Sequence, residues 1–247
     1  MALVIPKKGA GGTTTLKLWD ALQAQSPLDS KTDYFDDSSL SGDWTEFDDV
    51  SKLTVTEDGD GLKMVLTSGG SSDLTGILKA APTHTTYTIT AEVRWAGGIF
   101  EYHTDAGIII STGLASGANT ILVCAGETNT TRSKLDWARW SARTTFGAIV
   151  ASNHGMLPAP SRLFLRFYVD TSAATIQPLW SGDGRSWAAM ADPVAYSTLG
   201  FGAGTADYIG LVINNDSASE NVTIRSSMFR VDNTSDPYHA VGAFPVV

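Results

Sequence analysis

Cysteine is nearly absent from this chain of 247 residues: Cys124 stands alone. No internal disulfide can form, so the fold must rest on packing. A chain of this length buries about 70–75% of its unfolded surface, which is enough. Cys124 lies in the apolar run Ile121–Ala125, which makes it a small buried hydrophobe rather than a reactive thiol. Charge is also scarce, at 17% of residues, and 17 Lys and Arg face 26 Asp and Glu for a net charge of −9. Nucleic acid and anionic membrane both need clustered cations, so neither is expected as a partner. No apolar run approaches the length of a membrane span. The short apolar start Met1–Ile5 precedes Lys7 and Lys8 instead of following basic residues, so no cleavable export leader is expected.

Recognisable catalytic patterns are missing as well. The four histidines, His84, His103, His154 and His239, are dispersed without metal-ligand spacing. There is no serine nucleophile elbow. The glycine-rich stretch Gly9–Gly12 is not followed by the Lys-Ser/Thr of a phosphate loop.

What the chain has is β-structure. With 24 glycines and many Ser and Thr, it reads as strands and turns. Tyr87, Ile89, Ala91, Val93 and Trp95 alternate with Thr88, Thr90, Glu92 and Arg94, which predicts a strand with one wet face. Leu53–Val55 and Leu62–Leu66 flank an acidic turn and predict a hairpin. Gly107–Ile110 and Ile121–Val123 are apolar on both faces and read as central strands. Leu163–Val169, Tyr208–Ile213, Val222–Ile224 and Phe229–Val231 complete the series. Asp183-Gly184, between Trp180 and Trp187, predicts a two-residue hairpin turn. Regular short strands favour a sandwich or barrel. Residues 1–33 differ. A flexible polar stretch precedes Leu16–Leu22, which could form two amphipathic helical turns before Pro27. These residues read as an arm whose Leu16, Leu18, Trp19 and Leu22 would contact another subunit. Residues 34–235 form the sandwich, and 236–247 a C-terminal tail.

Seven features, in order, resemble the concanavalin A-like lectin/glucanase superfamily, in the form of modules found in phage and bacterial proteins. They are Tyr34–Asp37 with Ser41–Trp44, Asp60–Met64, Asp105–Ile110, Leu163–Arg166, Ser181–Trp187, Tyr208–Leu211 and Met228–Val231. The resemblance implies an all-β, two-sheet antiparallel jelly-roll sandwich. It does not settle function, because the fold carries lectins, hydrolases and structural modules. Glucanases of the superfamily place their acids in alternation on one strand, and no Glu-x-Asp-x-x-Glu pattern occurs here. Glu101 and Asp105, four apart, are the nearest approach, and they read better as a polar strand end.

The candidate glycan-binding residues are Trp137, Arg139, Trp140 and Arg143, since sugars stack on exposed aromatics and hydrogen-bond to Arg. Trp137 and Trp140 are three apart, so on a regular strand at least one turns inward. Asp58 and Asp60 are the candidates for a calcium turn, with a plain hairpin turn as the competing reading. No other cofactor is expected. With no catalytic set, no leader and a gripping arm, the expected function is a non-enzymatic structural or adhesive virion protein of a phage: a decoration, fibre or tail component. Its expected partners are identical subunits or other virion proteins, and surface glycans. A carbohydrate-binding module is the alternative, and a glycoside hydrolase the third reading.

Overall fold

The computed structural model describes residues 29–48, 51–67, 71–95, 104–127, 133–154, 162–201, 205–215 and 221–240. Leu16, Leu18, Trp19, Leu22 and Glu101 lie outside them. In chain order the strands are β1 (Thr45–Phe47), β2 (Leu53–Asp58), β3 (Gly61–Leu66), β4 (Ser71–Ala80), β5 (Thr86–Trp95), β6 (Thr104–Ser111), β7 (Thr120–Glu127) and β8 (Ser133–Ala142). There follow β9 (Thr145–His154), β10 (Arg162–Asp170), β11 (Thr175–Ser181), β12 (Ala188–Ala189), β13 (Val194–Ala195), β14 (Tyr208–Asn215), β15 (Val222–Ser226) and β16 (Phe229–Asp232). No helix occurs among the described residues.

The strands form two antiparallel sheets facing each other, a sandwich of jelly-roll type. One has seven strands in the order β1-β4-β14-β6-β7-β8-β9. The other has nine, in the order β12-β11-β10-β5-β15-β3-β2, with β13 on β11 and β16 on β5. The main core lies between them. Tyr87, Ile89, Ala91 and Val93 of β5 and Leu163, Leu165, Phe167 and Val169 of β10 meet Ile108 and Ile110 of β6, Val123 of β7, and Ile209 and Leu211 of β14. The alternation read from the sequence places these residues inward.

The other face of β5 is not wet. Thr88, Thr90 and Glu92 are buried beneath charged side chains and the chain beyond β16. Arg166 of β10 donates through Nε to Thr90 Oγ1 at 2.8 Å, and through Nη1 to the carbonyl oxygens of Pro237 and His239, both at 2.8 Å. Its guanidinium lies 3.7 Å from the Trp187 ring centre. Arg230 pairs with Asp232 at 2.6 Å, and His239 Nε2 lies 3.2 Å from the same carboxylate. Burial works against that carboxylate's charge, but His239 and Arg230 outweigh it and hold its pKa below the usual range. Residues 236–240 are therefore clamped onto the nine-stranded sheet. At the other terminus, the Asp29 N–H donates to the Val231 carbonyl at 3.2 Å, and Asp33 bridges to Phe229. The sandwich takes in residues 29–33 along with this C-terminal segment.

The seven-stranded sheet rolls up along its outer face. Four strand spacings separate β4 from β8, about 19 Å on a flat sheet. Yet the Leu74 N–H of β4 donates to the carbonyl of Arg143, in the turn between β8 and β9, at 3.0 Å. Strand twist brings these diagonal corners together. The rolled face holds a second core of Phe47, Leu74, Leu78, Ile109, Leu122, Cys124, Ala138, Trp140 and Val212. This explains why β6 and β7 are apolar on both faces.

Candidate functional site

At one end of the rolled face the apolar surface gives way to a polar row. Register fixes it: Asn214 of β14 stands opposite Asp105 of β6, Asp105 opposite Gly126 of β7, and Gly126 opposite Lys134 of β8. One pair of residues along, Asp136 of β8 stands opposite both Cys124 and Ser152 of β9. Period-two alternation puts all these side chains on the same face. Because Gly126 has no side chain, Lys134 reaches across β7. Its Nζ lies 2.9 Å from Asp105 Oδ1 and 3.2 Å from Asp136 Oδ2. Ser152 Oγ donates to Asp136 Oδ1.

Burial alone would lower the Lys134 pKa. The Asp105 and Asp136 carboxylates outweigh it and hold the ammonium charged well above the ordinary lysine range. Burial pushes the Cys124 thiol well up, so it is an inert wall of the site. Asn214 is 5% exposed, and its Oδ1 has no hydrogen-bond partner among the described residues. A buried carboxamide oxygen without a donor is costly. Two carboxylates, a carboxamide and a hydroxyl on one surface suit the adjacent hydroxyls of a sugar. Two acids on one face are also the minimum for acid–base work at a glycosidic bond.

The residues singled out for glycan contact do not form a platform. Trp137 is 0% exposed and belongs to the main core, while Trp140 is 6% exposed and belongs to the second. The bulges in β8–β9 pairing do not change this, because both faces of β8 are covered. Arg143 is 2% exposed: its guanidinium donates to the Leu114 carbonyl and lies 4.5 Å from the Phe47 ring centre. Arg139 donates to the Thr198 carbonyl at 3.1 Å. Phe146, 50% exposed and edge-on to Trp140 at 5.5 Å, is an aromatic on this sheet that does reach solvent. Asp58 is held by Arg225 through contacts of 2.7 and 2.9 Å and accepts the Asp60 N–H at 2.9 Å, which makes the acidic stretch a hairpin turn. Among the described residues no three His, Cys, Asp or Glu side chains are grouped to hold a metal.

Of the site found here, sequence reasoning singled out Asp105 alone, and as the partner of Glu101. Lys134, Asp136, Ser152 and Asn214 were missed. Lys134 and Asp136 are opposite charges at alternate positions of β8, on one face of the strand, and that is the signal that could have found them.

No protein-family profile and no curated protein matches the chain. Solved structures do. A xylan β-1,4-xylosidase from Bacillus halodurans C-125 superposes with a TM-score of 0.61 at 12% identity, covering 83% of this chain and 39% of that one. The Emp47p carbohydrate recognition domain gives 0.55 at 12% identity, covering 85% and 98%. The alginate lyase Aly36B gives 0.51 at 11%, covering 86% and 97%. The chain spans only 39% of the length of that xylosidase, and 40% and 26% of two GH43 chains that it also matches. These neighbours correct one expectation. The chain was read as non-enzymatic because no catalytic set was visible, yet xylosidase, lyase and transglycosylase chains are prominent among the folds it matches. At identities of 11–16% the likeness is one of fold alone, the two-sheet antiparallel β-sandwich described above.

Proposed function

We propose that this chain recognises carbohydrate at the polar end of its rolled seven-stranded sheet. The observation that carries the reading is the network of Asp105, Lys134, Asp136 and Ser152 on the rolled face, where the Asp105 side chain is 19% exposed. Its structural neighbours, a xylosidase, an alginate lyase and a carbohydrate recognition domain, support the same class of ligand. Placement on a phage virion and a subunit-gripping arm rest on the sequence argument alone, and the sugar reading does not depend on them.

The test is titration calorimetry against soluble xylan, mannan, β-glucan and alginate, with released reducing and unsaturated ends followed in parallel. Binding of at least one is expected. Asp136→Asn should weaken it about tenfold or more, because a charge-assisted hydrogen bond to a hydroxyl contributes about 1.5–3 kcal/mol. Release of ends would add turnover at the same site.

A further inference from the structure

His239 meets an oxygen atom at each of its ring nitrogens. Nδ1 lies 2.7 Å from the Asp236 carbonyl oxygen, within the same C-terminal segment, and Nε2 lies 3.2 Å from Asp232 Oδ2 on β16. A carbonyl oxygen only accepts, so Nδ1 carries a proton. Asp232 is 0% exposed and bound by Arg230 at 2.6 Å, so it stands as a carboxylate, which also only accepts. Nε2 must then carry a proton too. A neutral imidazole has a single N–H: it serves one of these oxygens and turns a lone pair on the other. The two contacts together belong to the imidazolium.

The other charged groups around the ring do not replace that second proton. Arg230 is engaged with Asp232, Arg166 of β10 donates to the His239 carbonyl and not to its ring, and the Asp236 carboxylate accepts the Tyr238 N–H at 2.9 Å. Tyr168, across Thr88 from Asp232, has its pKa raised by burial and stays neutral. We propose that residues 236–240 form a pH-operated clasp on the nine-stranded sheet, closed while His239 is charged and loosened when it gives up a proton. The closed form binds the extra proton, so the clasp tightens as pH falls and weakens as pH rises. Loosening takes the Pro237 and His239 carbonyls off Arg166 and opens the outer face of β5 and β10 to solvent. The clasp lies on the other sheet from the polar row and does not depend on the carbohydrate reading.

Tyr238, 48% exposed within the clasp, provides the readout, because chymotrypsin cuts after tyrosine in a segment that has come loose. The full chain and His239→Gln are cleaved in parallel between about pH 5 and pH 8, where histidine titrates. Glutamine can donate to Asp232 at every pH. The ratio of the two cleavage rates cancels the protease's own pH dependence, and also that of the His84–Asp29 pair, which both proteins contain. Cleavage of the wild type relative to His239→Gln should rise about tenfold or more across this range, the loss of one charge-assisted hydrogen bond. A ratio that does not change with pH would overturn the clasp. Should His239→Gln fail to fold, the ring nitrogen shifts of His239 in the wild-type chain decide. Two protonated nitrogens at the acid end support the clasp, and one overturns it.

Discussion

A Cβ built on Gly126 falls onto the Asp105 carboxylate and the Thr104 carbonyl oxygen. Gly126 is therefore what lets Lys134 and Asp105 meet across β7. Gly126→Ala should cost about 1–3 kcal/mol, measured by urea unfolding, and abolish carbohydrate binding in whatever fraction still folds. Lys79 shows the opposite economy. It is 3% exposed, with its Nζ 3.8 Å from the Trp44 ring centre and 5.3 Å from that of Phe229. Burial lowers its pKa from 10.5 to about 8, against the pull of Asp33 and Asp43. The folded value is depressed, so between pH 8 and 10.5 the unfolded chain holds the extra proton and stability rises with pH. Lys79→Met should raise stability at pH 7 by roughly 1–2 kcal/mol. It should also flatten the rise between pH 8 and 10, measured by urea unfolding at each pH.

Among the elements, strands were legible from the sequence and their outer surroundings were not. The β2–β3 hairpin and the inward residues of β5 and β10 follow from period-two patterning and stand as read. The turn around Asp183-Gly184 does not. Trp180 pairs with Ala188 and Leu179 with Ala189, so the connection runs from Ser181 to Trp187 instead of two residues. Asp183 organises it, accepting the N–H groups of Arg185 and Ser186, both at 2.8 Å, which lowers its pKa to about 2. The wider turn frees Trp187 to lie on Arg166. No local pattern predicts that partnership, because Trp187 and Arg166 come from different strands' surroundings. Arg166 is the element-scale test. Burial lowers its pKa to about 9, and its donors hold the Pro237 and His239 carbonyls. Arg166→Ala should cost about 3–5 kcal/mol, through lost packing on Trp187 and two carbonyls left without donors. Limited proteolysis should then cut within residues 236–240 well before the rest of the sandwich opens. Unchanged cleavage order would mean that the clamp does not hold the segment.

For the whole molecule, two closed cores explain why so few charges suffice. One core lies between the sheets, and the other lies inside the rolled seven-stranded sheet. Architecture was readable because strand patterning and turn chemistry repeat along the chain. The site was not, because it is assembled by register across β14, β6, β7, β8 and β9. Alternation tells which way a side chain points, but not which strand lies beside it. The tryptophans that looked like a binding surface became walls of the two cores once both faces of β8 were covered. The central claim is that the polar end of the rolled face binds sugar through Asp136 and its neighbours. Calorimetric titration of the wild-type chain and Asp136→Asn against the four polysaccharides tests it most directly. The account predicts saturable binding to at least one by the wild type, weakened about tenfold or more in the variant, whose circular dichroism spectrum is unchanged. Binding of equal strength in the two proteins, or none in either, would contradict it.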